Sequence, residues 1–439
     1  MTLEEEDNGV SEPTDQMIED ENSGIMVKDK FYMTYILFYS LGTATLIPAN
    51  FFTTATDYWM YKFRDLNGVD LNISDTNSLN RTRMQAEFVS DYSIVSNVSN
   101  LFFLVITIAF LRKLSMIKRT IGALCGAIVM FAITCLFVQV DTDTWQLTFF
   151  IITLIIGFLL TGFCAVFMVT LFEMIARFPA RYLAAILSGH SICGIFAALT
   201  QIFALSIGAS STTTGLTYFS IGMFFIFLTL IGFLMTLHKS QFFKYNLTKE
   251  IEQTVQPKIT KELFLTVLNK LKYYLTSMII VLGCSIMIHP GVTSLVVSID
   301  KGHGNQWNDV YFVPVTTFLL YYIFDYAGRE FAGALRKPTN GLIIFIASIC
   351  RIALVPMLML CNAQPRTHLP VVFDQDYAYV IFIIIFSFTN GYLVNLCVIH
   401  VPSVTKDEEK KLSMVLILVF MLVSLGACSF LSAAMVKAL

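Results

Sequence analysis

Residues 317–331, TFLLYYIFDYAGREF, place a carboxylate and a guanidinium inside a run of apolar and aromatic residues. Asp325 and Arg329 are four residues apart, so on a helix they share one face and can form an ion pair. Ionisable groups inside a membrane are costly unless they are paired or face a polar cavity. Two compatible interpretations follow: a salt bridge that fixes the helix, or a cavity that binds a hydrogen-bonding substrate. We favour the cavity because the rest of the stretch is so apolar.

The composition of the whole chain predicts that its solvent is lipid. Of the 439 residues, 56% are hydrophobic and 14% are charged, and the mean hydropathy is +0.69. A chain with so few charged residues cannot cover its apolar surface in water. The net charge of −2 gives no sign of nucleic-acid binding.

The sequence contains no cluster of residues typical of catalysis. Its nine cysteines are scattered singly in or beside apolar stretches, with no CxxC pair. This pattern is typical of small packing residues rather than of disulfides or a zinc site. His289 and His303 are too far apart, and on different elements, to suggest a metal. The sequence therefore predicts no enzyme, no cofactor and no metal.

Apolar segments of about 20 residues, long enough to span a bilayer as helices, follow an acidic N-terminal tail. The tail, residues 1–30, has no signal-peptide core and is predicted to be disordered and cytoplasmic. The eleven segments lie near residues 31–53, 94–111, 120–139, 147–172, 183–207, 215–237, 272–297, 309–333, 341–362, 377–401 and 412–436. The predicted fold class is an all-α polytopic membrane protein with eleven transmembrane helices.

The loop charges predict the orientation of these helices. Lys and Arg precede the first span and follow the second, fourth, sixth, eighth and tenth, whereas the alternate loops carry Asp, Ser and Thr. The positive-inside rule places the N-terminus in the cytoplasm and the C-terminus on the extracellular or lumenal side. The outer loop after the first span holds sequons at Asn72 and Asn80, so we expect both to be glycosylated.

One long hydrophilic segment divides the apolar part of the chain. Residues 238–271 are expected to form a cytoplasmic linker between a six-helix bundle, 31–237, and a five-helix bundle, 272–439. Such a six-plus-five arrangement suggests two lobes that rock about a central site.

Three further polar groups interrupt the spans. Asn50 follows Pro48 near the outer end of the first span, where a proline can bend a helix around a site; a plain helix end is the alternative. His190 lies among small residues that predict close helix packing, so its imidazole is either a packing residue or part of the site. His289 precedes Pro290, and the helix break beside it exposes polar backbone.

Helical spacing places further side chains together. Phe318 and Tyr322 share the Asp325 face of the eighth span, where their rings either pack or stack on a flat ring of a substrate. Glu173 and Arg177 are four residues apart near the inner end of the fourth span and are expected to pair.

Five motifs complete the pattern: LIPANFFTTATDYW, SGHSICG, IFDYAGR, RIALVPMLMLCN and FTNGYLVNLC. Together they resemble the motifs of the equilibrative nucleoside transporter family, over about residues 30–436. The resemblance implies a major-facilitator-like fold and facilitated diffusion of purine and pyrimidine nucleosides, sometimes nucleobases, by alternating access. We expect a functional monomer in the plasma membrane or the late endosomal or lysosomal membrane. Three stretches are more similar to the endolysosomal branch of the family than to its plasma-membrane branch: DYWMYKFRD, TFLLYYIFD and QPRTHL.

The resemblance also implies roles at matching positions. Asp325 and Arg329 match a pair that holds ribose hydroxyls, which suits an uncharged sugar. Asn50 and Leu101 match cavity residues of the first two spans, and Phe318 matches an aromatic residue of the site. The full set of expected substrate-binding residues is Asp325, Arg329, Asn50, Leu101, Phe318, His289, Met168, Tyr322, Thr53 and His190.

Four positions depart from the family pattern. Ala49 replaces a tryptophan, Met168 a glutamine that would hydrogen-bond the base, His289 an aromatic residue and Tyr322 an asparagine. We therefore expect ribose recognition to be kept and the base pocket to be rebuilt. His289 predicts pH-dependent transport, because imidazole titrates near neutrality.

Two other functions stay open. One is an organic-cation or monoamine carrier of the same fold, as one branch of the family implies. The resemblance implies a buried acid in the fifth span of that branch, where this chain has His190, which counts against this function. The other is a non-transporting membrane receptor or scaffold, in which the changes at Ala49, Met168 and Tyr322 have removed the site.

Overall fold

A computed structural model describes residues 17–19, 26–66, 82–175, 177–207, 210–248 and 260–439. Most of the predicted N-terminal tail lies outside these ranges, as do the two predicted glycosylation sites, Asn72 and Asn80. Two short strands, β1 (Met17–Glu19) and β2 (Met26–Lys28), pair in antiparallel fashion. The rest of the described chain is helical apart from connecting loops.

The α-helices are numbered in chain order. They are α1 (Met33–Thr54), α2 (Thr56–Lys62), α3 (Arg83–Ala109), α4 (Met116–Gln139), α5 (Gln146–Ile175), α6 (Ala180–Ser206), α7 (Ser211–Lys239), α8 (Gln241–Thr248), α9 (Lys261–Ile288), α10 (Leu320–Leu335), α11 (Gly341–Arg351), α12 (Leu354–Met359), α13 (Asp376–Ile399), α14 (Val401–Val404) and α15 (Asp407–Ala438). Two π-helical segments, Trp307–Tyr311 and Val313–Leu319, lead into α10.

The predicted number of membrane spans is confirmed: within the described ranges, eleven helical segments are long and apolar enough to cross a bilayer. Two of them begin eleven residues earlier than predicted. The helix α3 starts at Arg83 rather than near residue 94, and α9 starts at Lys261 rather than near 272. The first turns of both helices mix charged and polar residues with apolar ones, so a hydropathy pattern does not reveal where the helices begin. The first span continues through Pro48 and ends at Thr54, close to the predicted residue 53.

In the part of the chain that the structure describes, buried apolar side chains pack into three clusters. The largest draws on residues between 37 and 247, and the other two draw on residues between 267 and 439. The short helix α8 belongs to the first cluster, because its Phe242 and Phe243 pack against the ring of Phe178. The first part of the predicted linker, 238–271, therefore packs on the helices that precede it, and its last part is helix α9. The division of the chain into a six-helix and a five-helix bundle stays a prediction.

One expected ion pair is wrong. Glu173 on α5 accepts a hydrogen bond of 2.7 Å from Arg119 on α4, while Arg177 donates at 2.6 Å to the backbone carbonyl of Leu247. The helix α5 ends at Ile175, two residues before Arg177. The spacing of four residues therefore does not place the two side chains on one helical face.

Candidate functional site

The centre of the site is the pair that the eighth span predicts. The Nε atom of Arg329 donates a hydrogen bond of 2.8 Å to Oδ2 of Asp325, along one face of α10. The Asp325 side chain is 10% exposed and the Arg329 side chain is 29% exposed. The ion pair is therefore formed, and its cation keeps an accessible surface.

The second oxygen of Asp325 is held by a residue of α13. Nδ2 of Asn390 donates to Oδ1 of Asp325 at 2.6 Å. The two helices touch here: a Cβ atom added to Gly391 would overlap the carbonyl oxygen of Asp325, and one added to Gly328 would overlap that of Phe388. Glycine on both helices thus permits the approach that brings Asn390 to the carboxylate.

Two more side chains extend this hydrogen-bond network beyond Asn390. The hydroxyl of Ser285 on α9 lies 2.6 Å from Oδ1 of Asn390, and Nη2 of Arg351 on α11 donates to Ser285 at 2.9 Å. Sequence analysis did not assign these three residues to the site. The available signals were the Asn-Gly pair in FTNGYLVNLC and an arginine inside an apolar run, but neither shows which groups they meet.

Tyr322 connects α10 with α1. Its hydroxyl donates to Oδ1 of Asn50 at 2.9 Å, and Nδ2 of Asn50 lies 3.3 Å from the sulfur of Cys193 on α6. Thr53 donates to the backbone carbonyl of Asn50 at 3.0 Å. A Cβ atom on Gly194 would overlap the Tyr322 ring, so the glycine makes room for it.

His289 lies beside this tyrosine, where α9 ends. Its ring stacks on Tyr321 with a centroid distance of 3.7 Å and meets Phe318 edge-on at 5.9 Å. Its Nδ1 atom is 3.0 Å from the hydroxyl of Thr293, which itself donates to the carbonyl of Pro290. In a neutral imidazole Nδ1 therefore carries the proton and Nε2 is an acceptor. This Nε2 atom is buried and has no hydrogen-bond partner among the described residues.

His190 lies on α6, three residues before Cys193. Its ring centroid is 6.4 Å from that of Phe172 on α5. Its Nε2 atom is also buried without a partner in the part of the chain that the structure describes. His289 and His190 thus each carry a buried ring nitrogen without a hydrogen-bond partner among the described residues.

Two of the expected residues lie apart from this network. Leu101 on α3 packs where a Cβ atom of Gly426 on α15 would lie. Met168 is a half-buried residue of α5. The other eight expected residues form separate groups. Asp325 pairs with Arg329. Hydrogen bonds and ring contacts connect Asn50, Thr53, Tyr322, His289 and Phe318. None of these contacts includes His190.

The arrangement suits a neutral, hydroxyl-rich ligand. A carboxylate oxygen carries about two lone pairs, and each oxygen of Asp325 has one protein donor, so acceptor capacity remains. Among the described residues, the recorded side-chain bond of the Arg329 guanidinium uses only Nε. Its remaining N–H groups can donate to a ligand. Of the neighbouring aromatic rings, Tyr322 is half-buried, whereas Phe318 and Tyr321 are buried in the packing around His289.

Comparisons with known proteins address the chain as a whole. The sequence model of a family described as "Nucleoside transporter" matches residues 152–262 and 247–437. Equilibrative nucleoside transporter 1 of Rattus norvegicus is 27% identical over 426 residues, covering 87% of this chain and 92% of that protein. Equilibrative nucleoside transporter 3 of the same organism is 25% identical over 440 residues, covering 92% and 89%.

The fold also resembles a solved structure. A bacterial homologue of the human lysosomal transporter Spinster, in an inward-facing and unoccupied conformation, aligns with a TM-score of 0.57. The alignment covers 91% of this chain and 81% of that one, at 13% sequence identity. At this identity the similarity concerns the fold alone, and it supports the major-facilitator-like architecture expected from the sequence.

Proposed function

The chain belongs to the nucleoside transporter family, and from this premise we propose that it carries nucleosides across a membrane by facilitated diffusion. It is an integral multi-pass membrane protein, with eleven apolar helical segments in its described residues. The curated relatives named above are equilibrative transporters and not enzymes. The proposed cycle is alternating access, in which one substrate site opens to each side of the membrane in turn.

The observation that carries this proposal is the Asp325 carboxylate, held on one oxygen by Arg329 and on the other by Asn390. We propose that its remaining lone pairs accept hydrogen bonds from the ribose hydroxyls, while free N–H groups of Arg329 donate to ribose oxygens. Such a site rejects a sugar that lacks the hydroxyls, because buried polar groups would be left unpaired.

We place the base on the side of Tyr322 and His289. The Nε2 atom of His289 is an unused acceptor, and Tyr322 carries a ring edge and a hydroxyl already engaged by Asn50. At both positions the sequence departs from the family pattern. The base pocket proposed here is therefore narrower and more aromatic than one with an asparagine at position 322.

Uptake of labelled uridine and adenosine in cells without endogenous carriers tests the proposal. We expect saturable uptake by the wild type and a large loss in Asp325→Asn and Arg329→Gln. Glu330→Gln is the matched control, because Glu330 is an exposed neighbour on another helical face. Equal uptake by the wild type and both site variants would remove the proposed ribose site. Uptake that collapses with the proton gradient would replace facilitated diffusion with proton-coupled transport.

A further inference from the structure

Arg351 is a buried cation whose bonds go to uncharged groups. It is 3% exposed, and its guanidinium lies 4.0 Å from the centroid of the Phe386 ring. Its recorded acceptors among the described residues are the carbonyls of Val281 (3.0 Å) and Phe386 (2.9 Å) and the hydroxyls of Ser285 (2.9 Å) and Thr389 (3.2 Å). The proposed transport function gives this arginine no role, although a buried charge is costly to keep.

We propose that Arg351 is a positioning residue for the candidate site. Acting through Ser285 and Asn390, it fixes which hydrogen bond the Asp325 carboxylate receives and therefore which lone pairs remain for a substrate hydroxyl. This inference rests on the proposed function, because it assigns a supporting role to the same carboxylate.

The first step is the direction of the Ser285 proton. The hydroxyl has one proton and two acceptors within reach, the Val281 carbonyl at 2.9 Å and Oδ1 of Asn390 at 2.6 Å. A guanidinium only donates, and Arg351 donates both to Ser285 and to the Val281 carbonyl. The arginine thus fills a lone pair of the hydroxyl and one of the two lone pairs of the competing carbonyl, which favours donation of the Ser285 proton to Asn390, the nearer acceptor.

The second step is the orientation of the Asn390 amide. Its oxygen and nitrogen can exchange places by rotation of the side chain. Once the oxygen receives the Ser285 proton, the NH₂ group must face Asp325, where it donates at 2.6 Å. The reversed amide would place its oxygen against a carboxylate oxygen and repel it.

The result is a chain of donors with a single direction, from Arg351 through Ser285 and Asn390 to Asp325. Hydrogen bonds in such a chain polarise one another, and a cation at one end and an anion at the other reinforce that polarity. The hydroxyl of Tyr321 also lies near Ser285. The direction given above requires that the tyrosine donates to the serine oxygen, which can accept two bonds and still donate its own proton.

A ratio of two uptake rates tests this role independently of expression. We compare uridine with 2′,3′-dideoxyuridine, which lacks the sugar hydroxyls, in the wild type, Arg351→Gln, Ser285→Ala and the double variant. We expect each single change to reduce the preference for uridine by about tenfold. This reduction arises through a higher KM for uridine, with the KM for the dideoxy compound unchanged. The double variant should be no less selective than Ser285→Ala, because both changes interrupt the same series of hydrogen bonds from Arg351 to Asp325.

Matched controls separate positioning from folding. Ser277→Ala removes another buried hydroxyl of α9, one that donates to the Tyr273 carbonyl at 2.7 Å. Arg366→Gln removes another arginine bonded to backbone carbonyls, in the loop before α13. We expect both controls to keep the wild-type preference, and Ser285→Thr, which retains the hydroxyl, to keep it as well.

The outcomes distinguish the two proposals. A wild type that does not take up uridine overturns the proposed function. A selective wild type whose selectivity survives in both Arg351→Gln and Ser285→Ala overturns only the role of Arg351. If Arg351→Gln does not yield folded protein, Ser285→Ala decides by the same ratio. A ratio that falls equally in Ser277→Ala assigns the effect to general packing and overturns the inference.

Discussion

The hydroxyl of Tyr322 on α10 donates a hydrogen bond of 2.9 Å to the side-chain oxygen of Asn50 on α1. The two residues are 272 positions apart in the chain and lie in different predicted bundles. If transport separates those bundles at the substrate site, this bond has to break in each cycle. It therefore stabilises the conformation described here relative to one in which α1 and α10 have moved apart.

Tyr322→Phe should make that separation easier. A hydrogen bond contributes about 0.5–1.5 kcal/mol, which corresponds to about a twofold to tenfold change in the population of the separated state. Cys193, which is fully buried next to Asn50, serves as the reporter. In a background without the other cysteines, its labelling by a membrane-permeant maleimide should be faster by this factor in the variant.

The control for this experiment is Tyr392→Phe. The Tyr392 hydroxyl donates to the Lys337 carbonyl, and both residues lie within the second predicted bundle. Its loss should leave the labelling rate of Cys193 unchanged. Equal labelling of the wild type and Tyr322→Phe would show that the bond does not restrain α1 against α10.

Gly391→Ala should force α10 and α13 apart. The added Cβ atom would overlap the Asp325 carbonyl oxygen, and backbone atoms of packed helices cannot yield as a flexible side chain can. Overpacking of this kind costs about 1–3 kcal/mol or more, and it also displaces Asn390 from the carboxylate. We expect a lower thermal unfolding midpoint in detergent and a loss of nucleoside uptake.

Gly232→Ala on α7 is the matched control for that change. A Cβ atom there meets nothing within 4 Å, and alanine has a higher helix propensity than glycine. The variant should be as stable as the wild type or more so. A Gly391→Ala protein with unchanged stability and uptake would contradict the close contact of the two helices.

Sequence patterns predicted the number of membrane-spanning helices and one of the two expected ion pairs within a helix. Eleven runs of apolar residues predict eleven helices, because only a helix satisfies its own backbone in lipid. The separation of four residues predicts the Asp325–Arg329 pair, which the structure contains. The start of α9 at Lys261 was missed because helices continue past the apolar part of a span.

The partners of the pair could not be predicted in this way. Asn390 lies 65 residues from Asp325, and Ser285 lies 105 residues from Asn390. Their meeting depends on how α9, α10 and α13 pack, and spacing along the chain carries no information about it. The same limit explains Glu173, whose partner comes from α4 instead of its own helix.

Asp57, in the short helix α2, gives a prediction about pH. Burial raises the pKa of its carboxyl, and a hydrogen bond with Ser211 only partly opposes this effect. A group with a raised folded-state pKa binds its proton more tightly in the folded protein, so stability increases as the pH falls through that value. Asp57→Asn should therefore unfold at a higher temperature than the wild type at neutral pH, and this advantage should disappear in acid.

Thermal unfolding in detergent at neutral pH and at about pH 4 measures this difference. Asp374→Asn, at an exposed position before α13, is the control and should shift the midpoint little at either pH. An Asp57→Asn variant that is less stable than the wild type at neutral pH would show that the ionised carboxylate is stabilising there.

Glu409 at the start of α15 should show the opposite pH dependence. Lys270 on α9 donates to both of its carboxylate oxygens at 2.7 Å. Hydrogen bonds to the carboxylate lower the pKa of Glu409 below its ordinary value of 4.5. The larger effect comes from Lys270 and the smaller from the backbone N–H of Lys406. A carboxyl with a lowered folded-state pKa contributes stability above its unfolded value, and that stability is lost as the pH falls through the folded value.

Glu409→Gln should therefore be less stable than the wild type at neutral pH, by an amount that shrinks as the medium becomes more acidic than the unfolded pKa of 4.5. Glu262→Gln removes an exposed carboxylate from the first turn of α9 and should not reproduce this pattern. Thermal unfolding midpoints of the wild type, Glu409→Gln and Glu262→Gln, measured from neutral to acidic pH, test this prediction. A difference between the wild type and Glu409→Gln that stays constant with pH would mean that the contact between α9 and α15 depends on shape rather than on the charge of Glu409.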